Sequence, residues 1–155
     1  MMAFINRFIA YLLAYIFHIA MAQSSIKLAT YNSNGFSTDR IAYINSFKSD
    51  VDFILIQEHW LHDSQLNMIE KECNMHAHSV SGMDPYELRV GRPFGGCAIL
   101  WKKELNMTVT PVESSSRRLC SVVVSCADLR FLLVCVYMPC DTTDNLSNLN
   151  EFANV

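Results

Sequence analysis

The 155-residue sequence is short of glycine, proline and charge, and it has no excess of basic residues. Five Gly and four Pro exclude a collagen-like chain, and no internal repeat or low-complexity tract occurs. Charged residues make up only 17% and hydrophobic residues 51%, which excludes a disordered chain and a coiled coil. The net charge of −3 excludes a polybasic nucleic-acid coat protein. The length suits one domain.

The excess of hydrophobic residues lies at the N-terminus. An unbroken apolar run covers residues 8–17, and small residues follow at Ala20 and Ala22. This pattern predicts a secretory signal peptide over residues 1–22, and hence a secretory or membrane route. Two alternatives stay open. One is a membrane segment at residues 4–22, although a histidine interrupts it and a span needs about 20 apolar residues. The other is upstream sequence with no targeting role.

From Ile26 onward, apolar runs alternate with amphipathic segments, which indicates a mixed α/β domain. The nearly continuous apolar run at Val51–Gln57 predicts a strand that is buried on both faces. Helical spacing predicts helices at Ser37–Lys48 and Ser64–Cys73, with residues 81–96 as a loop and 145–155 as the start of another helix. The other predicted strands are Ile26–Tyr31, Cys97–Trp101, Met107–Pro111, Leu119–Ser125 and Phe131–Tyr137.

Polar side chains follow the first two predicted strands. Asn32 ends the first strand, and Glu58 ends the second. An acid at the carboxyl end of a buried strand is well placed to bind a ligand, and a carboxylate oxygen is the kind of ligand that Mg²⁺ prefers. The alternative is a solvated strand end, which is the commonest environment of a glutamate.

Four segments occur in an order that is typical of one superfamily. They are Ile26–Gly35 (IKLATYNSNG), Asp52–Glu58 (DFILIQE), Gly95–Trp101 (GGCAILW) and Leu133–Pro139 (LVCVYMP). Residues 26–155 therefore resemble the endonuclease/exonuclease/phosphatase superfamily. The Asn-x-Asn-Gly turn, the Gln-Glu-His-Trp-Leu segment and the Tyr-Met-Pro strand exit resemble, more narrowly, the apurinic-type endonuclease domain of non-LTR (LINE-type) retrotransposons.

The resemblance implies a fold, a cofactor and a substrate. The fold is an α/β sandwich of four layers, α/β/β/α, and the reaction is hydrolysis of a phosphodiester in double-stranded DNA. Glu58 matches the glutamate that binds Mg²⁺, with Mn²⁺ as an alternative, and Asn32 matches an asparagine that helps to hold the metal and phosphate. Tyr137 matches a tyrosine whose hydroxyl faces the scissile phosphate. A reverse transcriptase domain in a longer chain, and a location in the nucleus or cytoplasm, are further implications.

The sequence departs from the superfamily pattern in its second half. The chain contains neither the Gly-Asp-x-Asn block nor the Ser-Asp-His block that supplies the general-base histidine. We therefore expect a partial domain, the first half of the fold, with most strands of the second sheet absent and little hydrolysis by this chain alone. Two alternatives stay open: a secreted or membrane-associated phosphodiesterase of the same superfamily, and a non-catalytic remnant.

Histidines, cysteines and basic pairs give weaker signals. The H-x-x-H and C-x-x-H spacings suggest zinc, but the paired CxxC pattern is missing, so surface and loop histidines are the alternative. His59, beside Glu58, is also a candidate for supporting the metal site or contacting phosphate. The residues concerned are His59, His62, Cys73, His76 and His78.

Strand pairing and strand ends suggest two further contacts. If a hairpin turns at residues 127–128, Cys120 lies opposite Cys135, as buried free thiols or, in a secreted protein, as a disulfide. The pairs Lys102-Lys103 and Arg117-Arg118 are either phosphate contacts or solvated rims.

Overall fold

The computed structural model describes residues 25–84, 86, 91, 93–126 and 129–138. The predicted leader at 1–22, the turn at 127–128 and the predicted helix at 145–155 lie outside the described residues. Neither α-helix in the described part combines the length and apolarity that a membrane crossing requires. The elements are β1 (Leu28–Asn32), α1 (Thr38–Phe47), β2 (Phe53–Gln57), α2 (Asn67–Cys73), β3 (His76–Val80), β4 (Cys97–Trp101), β5 (Thr108–Val112), β6 (Leu119–Cys126) and β7 (Leu129–Val136).

The first sheet has the strand order β1-β2-β4-β3. Strands β1 and β2 are parallel, with Asn32 aligned to Gln57, whereas β4 is antiparallel to both of its neighbours. The prediction that β2 is buried on both faces is confirmed, because the adjacent residues Phe53 and Ile54, and also Ile56, are fully buried. Since β1 and β2 run in the same direction, their carboxyl ends meet at one edge, where β4 begins.

The helices cover one face of this sheet. Ile44 of α1 and Ile69 of α2 are fully buried, and both belong to a core that includes Ile54 and Ile56 of β2. The helices, the first sheet and the second sheet form successive layers, as the predicted α/β sandwich requires. Packing of this kind, rather than helix propensity, supplies most of the stability of such short helices.

The second sheet consists of β5, β6 and β7 in antiparallel order. Alternate residues of β6, Cys120, Val122 and Val124, are buried in a core that also contains Phe53 and Ile99 of the first sheet. Three strands of a second sheet are therefore present. The apolar runs that predicted β6 and β7 supply its inner face, and Leu132 of β7, which is 57% exposed, lies among the residues left in solvent.

One strand, β3, was not predicted from the sequence. His76–Val80 reads HAHSV, in which only Ala77 and Val80 are apolar, so the segment lacks the signal of a buried strand. It forms the edge of the first sheet and pairs with β4, with Ala77 aligned to Leu100. The pairing partner and the core beneath it, rather than local propensity, decide this conformation.

Candidate active site

The turns that follow β1 and β2 are hydrogen-bonded to each other. The Ser33 amide donates to the Gln57 carbonyl at 2.9 Å, and the Gly35 amide donates to the Glu58 carbonyl at 2.7 Å. The fully buried Ser33 hydroxyl donates to the same two carbonyls, at 3.1 and 3.2 Å. These hydrogen bonds therefore link the two turns and hold the ends of β1 and β2 side by side.

This edge brings Asn32 and Glu58 into direct contact. The Asn32 Nδ2 donates to Glu58 Oε1 at 2.6 Å, while the Asn32 Oδ1 accepts from the Asn34 amide at 3.2 Å. The asparagine is exposed and the glutamate is half-buried, so the pair opens to solvent. The contact uses an amide donor to orient a carboxylate, and it leaves the second carboxylate oxygen for another partner.

The Glu58 backbone has an unusual conformation. Glu58 and Trp60 have φ values of +57° and +58°, in the left-handed region that non-glycine residues rarely adopt. Their amides donate to the carbonyls of Gly96 and Gly95, at 2.8 and 3.0 Å. Each such residue costs about 1–2 kcal/mol, so the surrounding contacts must hold the loop in place. Strain of this kind is concentrated at functional sites.

His59 lies inside this loop and is fully buried. Its Nδ1 accepts from the Leu61 amide at 3.0 Å, and its Nε2 lies 3.1 Å from the Val80 carbonyl oxygen. Burial disfavours the charged ring and lowers the pKa of His59 to about 4. The interpretations of His59 as a surface histidine and as a phosphate contact were therefore wrong.

The zinc hypothesis finds no support in the structure. Both ring nitrogens of His59 face backbone groups, and His76 lies 3.1 Å from Glu70 at the surface. In residues 25–84, 86, 91, 93–126 and 129–138, no group of three or more His, Cys, Asp or Glu side chains is arranged to hold a metal ion. The histidine spacings therefore reflect a loop and an edge strand.

Tyr137 lies at the same end of the sandwich. Its amide donates to the Arg118 carbonyl at 2.9 Å, and the Arg118 guanidinium carbon lies 5.9 Å from the centre of the tyrosine ring. A Cβ atom built on Gly95 would lie 3.9 Å from Tyr137 Cδ1. Gly95 also holds the Trp60 amide, so Tyr137 packs against the segment that supports the Glu58 loop.

The two basic pairs differ in position. Lys102 and Lys103 follow β4, at the end of the sheet opposite Glu58, and there Lys102 Nζ lies 3.5 Å from Asp52 Oδ1. Arg117 donates to the Met83 carbonyl at 2.8 Å. Of the four basic residues that the sequence suggested as phosphate contacts, Arg118 lies beside Tyr137. The sequence did not predict this neighbour.

Three cysteine thiols lie beneath the site, between the two sheets. Cys120 and Cys135 are register partners in β6 and β7, as predicted, and both are free thiols, like Cys97. Hydrogen bonding with Cys135 and burial raise the pKa of the Cys97 thiol far above its ordinary range. The Gln57 amide donates to Cys135 Sγ at 3.2 Å and thereby links this layer to the residue before Glu58.

Comparisons with known proteins show similarity in structure. No family model matches the sequence, and no curated protein matches it significantly. The endonuclease domain of TRAS1, a telomere-specific non-LTR retrotransposon, aligns at 13% identity and a TM-score of 0.48, over 83% of this chain and 51% of that one. The 3′ phosphatase NExo from Neisseria, solved with a product DNA hairpin, aligns at 16% identity and a TM-score of 0.51, over 84% of this chain and 49% of that one.

The similarity to NExo confirms the predicted fold, an endonuclease/exonuclease/phosphatase-type α/β sandwich. This chain spans about half the length of the structures that it matches. The fold places Asn32 and Glu58 at the carboxyl edge of parallel strands, where open α/β sheets bind their ligands.

Proposed function

We propose that this chain is part of a Mg²⁺-dependent nuclease domain that hydrolyses phosphodiesters, of the retrotransposon type. The observation that carries the proposal is the 2.6 Å contact between Asn32 Nδ2 and Glu58 Oε1, at the edge where β1 and β2 end. A solvated strand end would not require an oriented carboxylate on a strained backbone. The sequence motifs around Asn32, Glu58 and Tyr137 support the retrotransposon type.

The donor set fits Mg²⁺ in one of its ordinary binding modes. Mg²⁺ is commonly bound through one or two carboxylates, several waters and the phosphates of a substrate. Glu58 offers one carboxylate that is open to solvent, and the Asn32 amide holds that carboxylate in place. When bound, the metal would supply positive charge against the charge that develops on phosphate oxygens.

The neighbouring side chains suit a phosphate backbone. The Arg118 guanidinium offers planar hydrogen-bond donors that match phosphate oxygens, and its position over the Tyr137 ring keeps both groups near Gly95 and the Glu58 loop. We propose that Arg118 binds a DNA phosphate and that the Tyr137 hydroxyl donates to the scissile phosphate. NExo, which was solved with a DNA hairpin, supports DNA as the substrate class.

A second candidate function is binding without hydrolysis. The chain has no histidine after His78 to act as a general base, and general acid–base catalysis contributes about 10²–10⁴-fold to such reactions. A domain that retains Glu58 and Arg118 but lacks a base would bind Mg²⁺ and DNA and leave the phosphodiester intact. Binding and cleavage therefore have to be measured separately.

The test of the proposed site is the binding of a divalent cation. Mn²⁺, a paramagnetic substitute for Mg²⁺, should broaden the backbone NMR signals of residues 32–35 and 57–59 in the full chain, and Mg²⁺ should compete. Glu58→Gln should abolish the broadening. Glu104→Gln is the matched control, because Glu104 is exposed and follows β4 at the opposite end of the sheet. Equal broadening in wild type and Glu58→Gln would refute the site.

A further inference from the structure

The buried histidine beside Glu58 is not explained by metal or substrate binding. His59 has no exposed surface, and each of its ring nitrogens faces a backbone group. Because the Leu61 amide can only donate and the Val80 carbonyl can only accept, the ring is the neutral tautomer with its proton on Nε2. The imidazole therefore joins the loop after β2 to the end of β3.

The ring also fills the space above one glycine. A Cβ atom built on Gly96 would lie 2.4 Å from His59 Cε1 and 2.6 Å from Nε2, which is closer than real atoms approach. Gly96 has a φ of +91°, and its carbonyl accepts the Glu58 amide at 2.8 Å. The histidine ring thus rests directly on the backbone segment that holds Glu58.

These contacts enclose the Glu58 turn. On one side, the carbonyls of Gly95 and Gly96 hold the amides of Trp60 and Glu58. On the other, the His59 ring binds the Leu61 amide and closes the loop over only two residues. Two left-handed residues flank the histidine. The ring thus adds to the contacts of the Gly95 and Gly96 carbonyls that hold Glu58 in its left-handed conformation.

We propose that His59 is the positioning residue of the Glu58 carboxylate, and that its bond to the Leu61 amide and its contact with Gly96 hold the turn that presents the carboxylate to Asn32. The proposal rests on the proposed function only where it assigns a metal to that carboxylate. The positioning itself concerns the Asn32–Glu58 hydrogen bond, which exists without metal. Removal of groups that orient a metal ligand costs about 10–100-fold in metal affinity.

Two similar substitutions of His59 distinguish a role in positioning Glu58 from a role in packing alone. In His59→Asn, the side-chain Oδ1 can occupy the place of Nδ1 and still accept from the Leu61 amide. In His59→Gln, the longer side chain can still donate to the Val80 carbonyl, but it has no acceptor at the Nδ1 position. Both replacements are polar amides, so they differ mainly in which of the two hydrogen bonds they retain.

The experiment measures the NMR signal of the Asn32 side-chain amide in the metal-free full chain. The Glu58→Gln variant gives the reference position of this signal when the carboxylate is absent. We expect His59→Asn to keep the wild-type signal and His59→Gln to shift it toward that of Glu58→Gln, with a folded amide spectrum in each. His78→Gln, on the neighbouring β3, is the matched control and should change nothing. A folded His59→Gln with the wild-type signal would overturn the proposal.

Metal binding gives the second readout. His59→Gln should bind Mn²⁺ about tenfold more weakly than wild type, and His59→Asn should bind it almost as well. If the Asn32 signal responds to His59 as expected but wild type binds no Mn²⁺, the positioning role stands and the proposed function fails. If wild type binds Mn²⁺ and His59→Gln binds it equally well, the positioning role fails and the proposed function stands.

Discussion

Asn32 ends β1 and Glu58 directly follows the parallel strand β2, and the amide of Asn32 donates to the carboxylate of Glu58, 26 residues away in the chain, at 2.6 Å. This relationship connects an ordinary strand pairing to a site for chemistry. The parallel register aligns Asn32 with Gln57, so the residue after Gln57 comes within reach of the asparagine side chain. The predictions below test this edge and the loop that supports it.

Asn32→Asp should change the response of the protein to divalent cations. The substitution keeps an acceptor for the Asn34 amide but replaces the donor to Glu58 with a second negative charge. We expect a loss of about 1 kcal/mol of unfolding free energy without metal, and a larger rise in Tm on addition of Mg²⁺ than in wild type. Thermal unfolding with and without Mg²⁺ measures both. An unchanged metal-free Tm would contradict the role of the Asn32 donor.

The pH dependence of stability should report the buried His59. Its pKa falls from 6.5 in the unfolded chain to about 4 in the folded one. As the pH falls, His59 therefore binds a proton in the unfolded chain before it does so in the folded one. The unfolding free energy is unaffected by His59 above pH 6.5 and decreases as the pH falls toward 4. The total decrease is about 3 kcal/mol. Urea unfolding between pH 7 and pH 4 measures the loss, and in His59→Asn this part of the pH dependence should disappear.

Gly96→Ala should destabilise the protein far more than Gly91→Ala. The new methyl group would meet the His59 ring at 2.4 Å, and Gly96 has a φ of +91°. Overpacking of this kind costs about 1–3 kcal/mol, in addition to the backbone strain. Gly91→Ala is the control, because Gly91 has a φ of +104° but, among the residues that the structure describes, no atom lies within 4 Å of a Cβ added there. Equal losses in urea unfolding would show that the ring contact is unimportant.

The buried thiols should resist modification. Burial raises the pKa of Cys73 to about 11 and that of Cys120 to about 12, and both side chains are fully buried. Cys126 is partly exposed at the end of β6. In a Cys140→Ser background, a thiol reagent should therefore label Cys126 quickly and the remaining cysteines only on unfolding. Peptide mapping after a short reaction identifies the site, and early labelling of Cys120 would contradict the packing between the sheets.

The polypeptide should not nick DNA efficiently. It contains neither of the downstream blocks that supply an aspartate and a general-base histidine in the superfamily that it resembles. Supercoiled plasmid incubated with the purified chain and Mg²⁺ should relax no faster than with Glu58→Gln. Rapid nicking that Glu58→Gln abolishes would establish a different base and exclude the binding-only candidate.

Much of the fold was readable because apolar runs mark buried strands. The predicted Cys97–Trp101 strand coincides with β4, and the other five predicted strands overlap the observed ones with shifted ends. Two features could not be read in this way. Strand β3 carries little apolar signal, and the existence of the second sheet depends on β5 pairing with β6 rather than on any local pattern.

The candidate site, too, could be predicted only in part from the sequence. The linear order of residues already placed Asn32 and Glu58 at strand ends, because a carboxylate that follows a long apolar run has to emerge from the core. The left-handed turn at Glu58 and the burial of His59 depend on Val80 at the end of β3 and on the glycines just before β4, Gly95 and Gly96. A histidine becomes a neutral, buried support only when folding removes water from its surroundings and supplies backbone partners, and neighbours distant in the chain provide those partners.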